Sequence, residues 1–419
     1  MKFGIFYEHQ IARPWPEDDT DGMETLLKNA LDQVELADKL GFDYVWEVEH
    51  HFLEEYSHSS APEVFLAAAS QRTKQIRLGH GIMLMLPGFN HPARCAERIA
   101  TLDLISGGRV EWGTGESSSE AELGGFGINR KEKRAMWEEG VSAATRMLVE
   151  SPFTGFEGKY VNMPARNVMP KSKQKPHPPL WVACSRRETI HMAAERGMGA
   201  LSFSFIEPEE AKEWVDDYYK TIESSCDPIG YNVNPNIALT IPFMCHKNED
   251  EAVERGIDGA HFFGYSLAHY YVFGTHRPGK TNIAEEFEQR RAQFGFSREV
   301  IQDTKGLPLG AKMLQKGLGA LRGAIGTPDQ VRELCRRYEK AGVDQIIFVA
   351  QTGQTRHEDI CASMELFAKE VMPEFKERED AHQKEKNERL ADAIARALEK
   401  RKYDPNPEVK EVIRAAAAP

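Results

Sequence analysis

Short apolar runs alternate along the chain with longer segments whose apolar residues recur every three or four positions. The short runs are Phe3–Tyr7, Tyr44–Val48, Ile76–Leu86, Arg109–Gly113, Leu180–Ala183, Ala200–Phe203, Ile237–Met244 and Asp344–Ala350. They are apolar almost throughout rather than alternating, which is the pattern of strands covered on both faces. Between them the period lengthens. Leu27, Leu31, Val34 and Leu36 mark a helix that Gly41 stops. Pro62, His91-Pro92 and Thr327-Pro328 open further helices, and Gly107-Gly108, Gly197 and Gly342 close others. Helical periodicity also covers residues 131–149, 208–224 and 357–371.

Eight strands, each followed by a helix, predict an α/β chain folded as a (β/α)8 TIM barrel. An open doubly wound sheet is the competing architecture. It would want a phosphate-binding turn after the first strand, and Tyr7-Glu8-His9-Gln10 is not one. The barrel is expected over residues 1–375, with an insertion at 247–325 after strand seven and a charged helical tail at 376–419. Residues 151–179 are rich in proline and read as a long loop with a small hairpin. The insertion carries His261, Phe262, Phe263, Tyr265, His269, Tyr270, Tyr271 and Phe273. From His261 to about Gly310 it reads as a mobile lid hinged at Gly264, Gly274 and Gly279, its rings covering a cofactor or substrate. A fixed helical insertion on the barrel's side is the alternative. In the tail Leu390, Ile394 and Leu398 fall four apart, the thin apolar stripe of a helix that rests one edge on the barrel or packs on a partner subunit.

Composition narrows the function. With 419 residues and 41% apolar positions the chain can bury a large core. Its net charge of −12 disfavours nucleic acid and anionic membranes as partners. No basic n-region precedes a long apolar stretch, and no apolar run approaches bilayer length, so a cytoplasmic location is expected. The six cysteines show no CxxC spacing and read as free thiols.

Reactive groups of such a barrel belong at the C-terminal ends of its strands. Four constellations sit there. Trp46-Glu47-Val48-Glu49-His50-His51-Phe52 closes strand two. A metal is not expected, because a barrel hydrolase would want His-x-His after strand one and ligands on later strands. Gly79-His80-Gly81-Ile82-Met83 puts glycines inside strand three, the mark of a bulge or a closely approaching ligand. Gly113-Thr114-Gly115-Glu116-Ser117-Ser118-Ser119 follows strand four and departs from GxGxxG at Ser118. Cys184-Ser185-Arg186-Arg187-Glu188-Thr189 joins strand five to its helix. It offers hydroxyls, guanidinium groups and helix N-terminal N–H groups, an anion site. Simple N-capping by Ser185 is the alternative.

These residues resemble the bacterial luciferase-like flavin monooxygenases. The resemblance rests on GFDYVWEVEHHF, on RLGHGIMLMLPGFNHPARCAERIATLDLISGGRVEWGTG, on FGINRKEKRA, on PKSKQKPHPPLWVACS and on HEDICASMELFAKEVMPEF. It implies reduced FMN at the barrel mouth, supplied by a separate flavin reductase. Oxygen would add to the flavin as a C4a-peroxyflavin and pass into a small, apolar organic substrate. By motif, His50 matches the family's catalytic histidine, with Glu49 beside it. Arg134 matches the arginine on the FMN phosphate. Ser185 matches the phosphate turn, with Thr189 close to its place, and Cys184, Gly113 and Gly115 are expected beside the cofactor from their positions in the strand-end loops. Gly81 and Ile82 match a bulge below the flavin ring, where the family often has a non-prolyl cis peptide. Gly115 and Glu116 stand where luciferase has a Cys-Arg pair, which argues against light emission and an aldehyde substrate. Within the fold, F420-dependent hydride transfer and a non-catalytic flavin-binding protein are the rival functions. A homodimer or higher homo-oligomer is the expected assembly.

Overall fold

A computed structural model describes residues 1–15, 20–203, 206–291 and 322–413. The expected lid beyond residue 291 lies outside the described residues. Eight parallel strands form a closed ring: β1 (Lys2–Tyr7), β2 (Tyr44–Glu47), β3 (Arg77–Leu84), β4 (Val110–Gly115), β5 (Leu180–Cys184), β6 (Gly199–Ser202), β7 (Ile237–Cys245) and β8 (Gln345–Val349). Each pairs with the next, and β8 returns to β1 through Lys2↔Gln345 and Phe6↔Val349, which closes the barrel. The predicted strands stand at these places. The second ends a residue earlier than its apolar run, and the fourth runs on to Gly115. The Pro-rich loop holds the small hairpin, Phe156–Glu157 against Asn162–Met163.

Helices α1 (Thr20–Leu40), α2 (Pro62–Arg72), α3 (Pro92–Ile105), α4 (Glu120–Gly125), α5 (Lys133–Val149), α6 (Arg187–Glu195) and α7 (Pro208–Ser225) follow the first six strands. The core between strands and helices is continuous from Phe3 and Val34 through Trp112 and Trp137 to Phe348 and Phe367. The barrel interior is a separate apolar mass built on Phe6, Trp46, Trp181, Leu201, Ile347 and Val349. Trp46 and Trp181 meet edge to face, with ring centroids 5.2 Å apart. Gly79 belongs to this packing, because a Cβ there would lie 2.2 Å from the Trp46 ring. One of the two glycines singled out in strand three thus makes room for a tryptophan rather than for a ligand.

After β7 comes α8 (Glu249–Ala268), capped by the Asn248 side chain and acidic through its first turn. A π-helical turn, His269–Phe273, continues it, and α9 (Ile283–Arg290) follows. Part of the aromatic segment is packed inward: Phe263 lies on Tyr56 with ring centroids 5.5 Å apart, and Phe262 and Tyr265 lie on Phe287 at 5.6 and 5.4 Å. The insertion is also fastened to the loop after β2. Glu55 accepts from the N–H groups of Ile283 (2.6 Å) and Ala284 (3.1 Å), and Glu54 from that of Gly279 (2.6 Å).

The chain closes with α10 (Pro328–Ala341), α11 (His357–Glu370) and α12 (Met372–Glu399). Helix α12 lies at the end of the barrel where the strands begin. Lys386 binds Asp344 at 2.8 Å just before β8, and Glu379 pairs with the Met1 ammonium. Leu390 is fully buried and Ile394 packs on the core, so the apolar stripe rests on the barrel. The start of α10 supplies a local test. Thr327 and Gln330 cap each other's backbone N–H groups. Thr327→Ala is expected to cost about 1 kcal/mol in urea unfolding. An unchanged midpoint would show that the cap contributes nothing.

Candidate active site

A cavity of about 890 Å³ opens where the strands end, as the fold requires. Its wall holds Gly81 and Ile82 of β3, Gly115 of β4, and Cys184, Ser185 and Thr189 at the start of α6. His50 reaches it from the loop after β2 and Arg134 from the first turn of α5. Eight of the ten residues expected at the site therefore line one space.

Two do not. Glu49 stands next to His50 in sequence but turns away. Its carboxylate accepts from the Leu84 N–H at 2.7 Å, from Asn90 Nδ2 at 2.8 Å and from His51 Nε2 at 3.2 Å, tying the loops after β2 and β3 together. Successive residues leaving a strand point in opposite directions, so only one of the pair faces inward. Gly113 is packed against β3, where a Cβ would sit 2.0 Å from the His80 carbonyl oxygen. At Gly115 a Cβ would lie 2.7 Å from Ile82 Cδ1, so any side chain there would displace the Ile82 wall. The β3–β4 register shifts between His80 and Met83, which is the expected bulge. The cis peptide expected there is absent, because every cis bond among the described residues precedes a proline.

In Glu49's place two other carboxylates hold His50. Glu122 of α4 accepts from Nδ1 at 2.9 Å, and also from the His51 N–H at 3.0 Å and the Ser117 hydroxyl at 2.6 Å. Glu8, just past β1, brings Oε2 to 3.7 Å from His50 Nε2, while its Oε1 accepts from the Tyr56 hydroxyl at 2.8 Å. Glu8 Oε2 is buried and has no hydrogen-bond partner among the described residues. Burial disfavours the imidazolium, but Glu8 and then Glu122 outweigh it and raise His50 to about 9. Burial pushes Glu8 up to about 7 against the pull of His50. Burial likewise works to raise Glu122, but its bond to the charged ring leaves it below the usual carboxylate range. The result is a cation held between two acids, with spare acceptor capacity facing the cavity. Tyr271 from the π-helical turn closes this region, its ring 6.5 Å from that of His50. Of the eight insertion rings it alone lines the cavity.

A second region is cationic. Arg130, Lys133, Arg134 and Arg186 all line the cavity near the N-termini of α5 and α6. Ser117 joins the two regions, its hydroxyl donating to Glu122 and its carbonyl accepting from Lys133 Nζ at 2.6 Å. Thr189 caps α6 by accepting from the Arg186 N–H at 3.2 Å, so Ser185 is left to face the cavity. The Cys184 thiol points to the carbonyls of Val182 and Thr189, and burial raises it to about 12, which keeps it protonated. Among the described residues no three His, Cys, Asp or Glu side chains are grouped to hold a metal ion. No helix among them is long and apolar enough to cross a membrane.

Sequence reading missed Glu8, Glu122 and Lys133, and named Glu116 and Tyr271 only within longer stretches. Glu8 was visible at the end of strand one, where only a phosphate turn was sought. Glu122 lies on a six-residue helix that carries no periodic signal of its own.

Comparison with known proteins identifies the family and the fold. The family model described as luciferase-like monooxygenase matches residues 1–345. The alkanal monooxygenase alpha chain of Photobacterium leiognathi is 28% identical over 81% of this chain and 91% of its own. The oxygenase component of the flavin-dependent trigonelline monooxygenase of Acinetobacter baylyi is 23% identical over 90% of this chain and 96% of its own. A 34% match to an uncharacterized protein of Sinorhizobium fredii spans 53% of this chain and 61% of that protein. Among solved structures, monooxygenase RslO1 from Streptomyces bottropensis superposes with a TM-score of 0.68 at 26% identity, over 90% of this chain and all of that one. The closed barrel, the cavity at its strand ends and the match over residues 1–345 together place this chain in the luciferase-like monooxygenase family.

Proposed function

We propose that the protein is the oxygenase component of a two-component, FMN-dependent monooxygenase acting on a small, largely apolar organic molecule. The observation that carries this reading is the cavity's double character. Cations and helix N-terminal N–H groups gather in one region, and a buried His50 caged by Glu8 and Glu122 lies in another.

The residues fit a phosphorylated flavin. Lys133, Arg134, Ser185 and Thr189 would hold the phosphate, with α6 adding its N-terminal dipole. Gly81, Ile82, Gly115 and Val182 would wall the ring system. When bound, the reduced flavin supplies the oxygen chemistry, and the protein's part is orientation, proton handling and water exclusion. His50 is the proton carrier, charged at neutral pH and able to refill from Glu8 at 3.7 Å. Leu267, Ala268, Tyr271 and Val272 give the substrate an apolar wall and reduce water access. No dinucleotide turn follows β1, so reducing equivalents arrive from a separate flavin reductase, as the name of the trigonelline relative, an oxygenase component, also suggests.

Parallel titration with FMN, riboflavin and F420 tests the reading. FMN is expected to bind best. Arg134→Ala should weaken FMN by about 10- to 100-fold, the worth of a charge-assisted hydrogen bond, and leave riboflavin little changed. Equal losses for both flavins would remove Arg134 from the phosphate, and preference for F420 would replace the function with hydride transfer.

A further inference from the structure

The cationic region contains a carboxylate that a phosphate site would not be expected to hold. Glu116 leaves β4 directly after Gly115 and lines the cavity. Its Oε1 lies 3.1 Å from Lys133 Nζ and 3.1 Å from an Arg134 guanidinium nitrogen. One oxygen thus engages both cations of the first turn of α5. Its Oε2 is buried without a hydrogen-bond partner among the described residues. The other cavity cations are differently placed. Arg130 is paired with Glu120 and the Ser118 carbonyl, and Arg186 makes no ion pair among the described residues.

We infer that Glu116 competes internally for the anion site: it takes the place of a phosphate on Lys133 and Arg134, and thereby sets how tightly a phosphorylated flavin is held. The inference rests on the FMN reading above. The physical argument is one of exchange. A phosphate reaching Lys133 and Arg134 finds one of their two positive charges already offset, so it must displace Glu116 or share the cations with it at close range. Displacement leaves a carboxylate behind without its partners, and sharing places two like charges together in a partly desolvated space. Either way the net gain from the two cations falls well below that of an open basic site. An unphosphorylated flavin meets none of this cost. Glu116 is therefore a determinant of selectivity between flavins that differ only in the phosphate. It also favours release, which suits a protein that receives its flavin from another and must give it back.

Gly115 makes the arrangement possible. It lets β4 end against Ile82, and the next residue then turns across the cavity toward α5.

The test is equilibrium titration of the full chain with FMN and with riboflavin, followed by flavin fluorescence. Glu116→Gln keeps the shape and hydrogen-bonding capacity and removes the charge. It is expected to tighten FMN about tenfold or more, the scale of one charge-assisted contact recovered, with riboflavin nearly unchanged. Glu188→Gln serves as the control, since Glu188 also lines the cavity but forms no ion pair among the described residues. It removes the same charge without freeing either cation and should tighten FMN much less. FMN binding that is unchanged or weaker in Glu116→Gln overturns the inference, as does an equal gain in Glu188→Gln, which would reduce the effect to net charge. Thermal unfolding of Glu116→Gln monitors its fold. Should it be unstable, Glu116→Ala answers the same question. Failure of the wild type and of both Glu116 variants to bind any flavin would defeat the FMN reading itself. Flavin binding without selective tightening defeats only the role of Glu116.

Discussion

Replacing His50 by glutamine is expected to slow substrate-coupled turnover by about 10²- to 10⁴-fold, the contribution of a positioned acid–base group, while flavin affinity stays close to that of the wild type. Among the described residues His50 is the one imidazole that lines the cavity. Its ring is fixed from both sides, by Glu122 at 2.9 Å and Glu8 at 3.7 Å. Glutamine can keep the hydrogen bond to Glu122 but cannot carry a proton. The cationic residues proposed for the phosphate do not touch His50, which is why binding and turnover should separate. Oxygen uptake and peroxide release under reduced FMN check this. Turnover at the wild-type rate would remove His50 from the chemistry.

Glu122→Gln is expected to cost about 3 kcal/mol of folding stability near neutral pH. Breaking a buried ion pair costs about 3–5 kcal/mol, and the lower end applies because His50 can shed its proton and so limit the penalty. The pH dependence identifies the mechanism. The folded chain raises His50 to about 9 from the ordinary 6.5, so its pairing contributes fully below about 6.5 and is lost as pH rises through about 9. Glu122 is shifted the other way, so its contribution is present above the ordinary carboxylate range and fades as pH falls through its depressed value. The gap between wild type and variant in urea unfolding should therefore be widest between these limits and shrink above pH 9. A gap that stays constant to pH 10 would mean that Glu122 acts only through its bonds to Ser117 and the His51 N–H.

The architecture was legible because it depends on local signals. Strands covered on both faces must be apolar throughout, and a helix that buries one face must repeat every 3.6 residues. Counting eight such alternations leads to a closed barrel, and a barrel places reactive groups at its strand ends. The strand-end rule singled out His50, Gly81, Ile82, Gly115 and the start of α6, the family resemblance added Arg134, and the fold brings all of them to one cavity though they span much of the chain.

The residues whose surroundings differ from expectation share a cause. Glu49 and His50 are adjacent in sequence, and sequence alone does not say which of two neighbours turns inward at the end of a strand. The tertiary structure sends Glu49 to Leu84 and Asn90 and leaves His50 to Glu8 and Glu122, partners 42 and 72 residues away in the numbering. The aromatic segment shows the same limit. Composition indicated that its rings must be covered, and Tyr56 covers Phe263 while Phe287 of the insertion itself covers Phe262 and Tyr265. Only Tyr271, carried inward by the π-helical turn, reaches the cavity.

The barrel, the end at which its strand termini converge and the residue types gathered there could all be read from the chain alone. Each follows from periodicity and from the rule that strand ends converge. Charge pairing came with the closed barrel: His50 lies between two acids, and Glu116 rests on Lys133 and Arg134. Pairing depends on distances of a few ångströms between side chains brought together by the closure of the barrel. Coulomb energy in a partly buried site changes by kilocalories over such distances, and no periodicity in the chain encodes them.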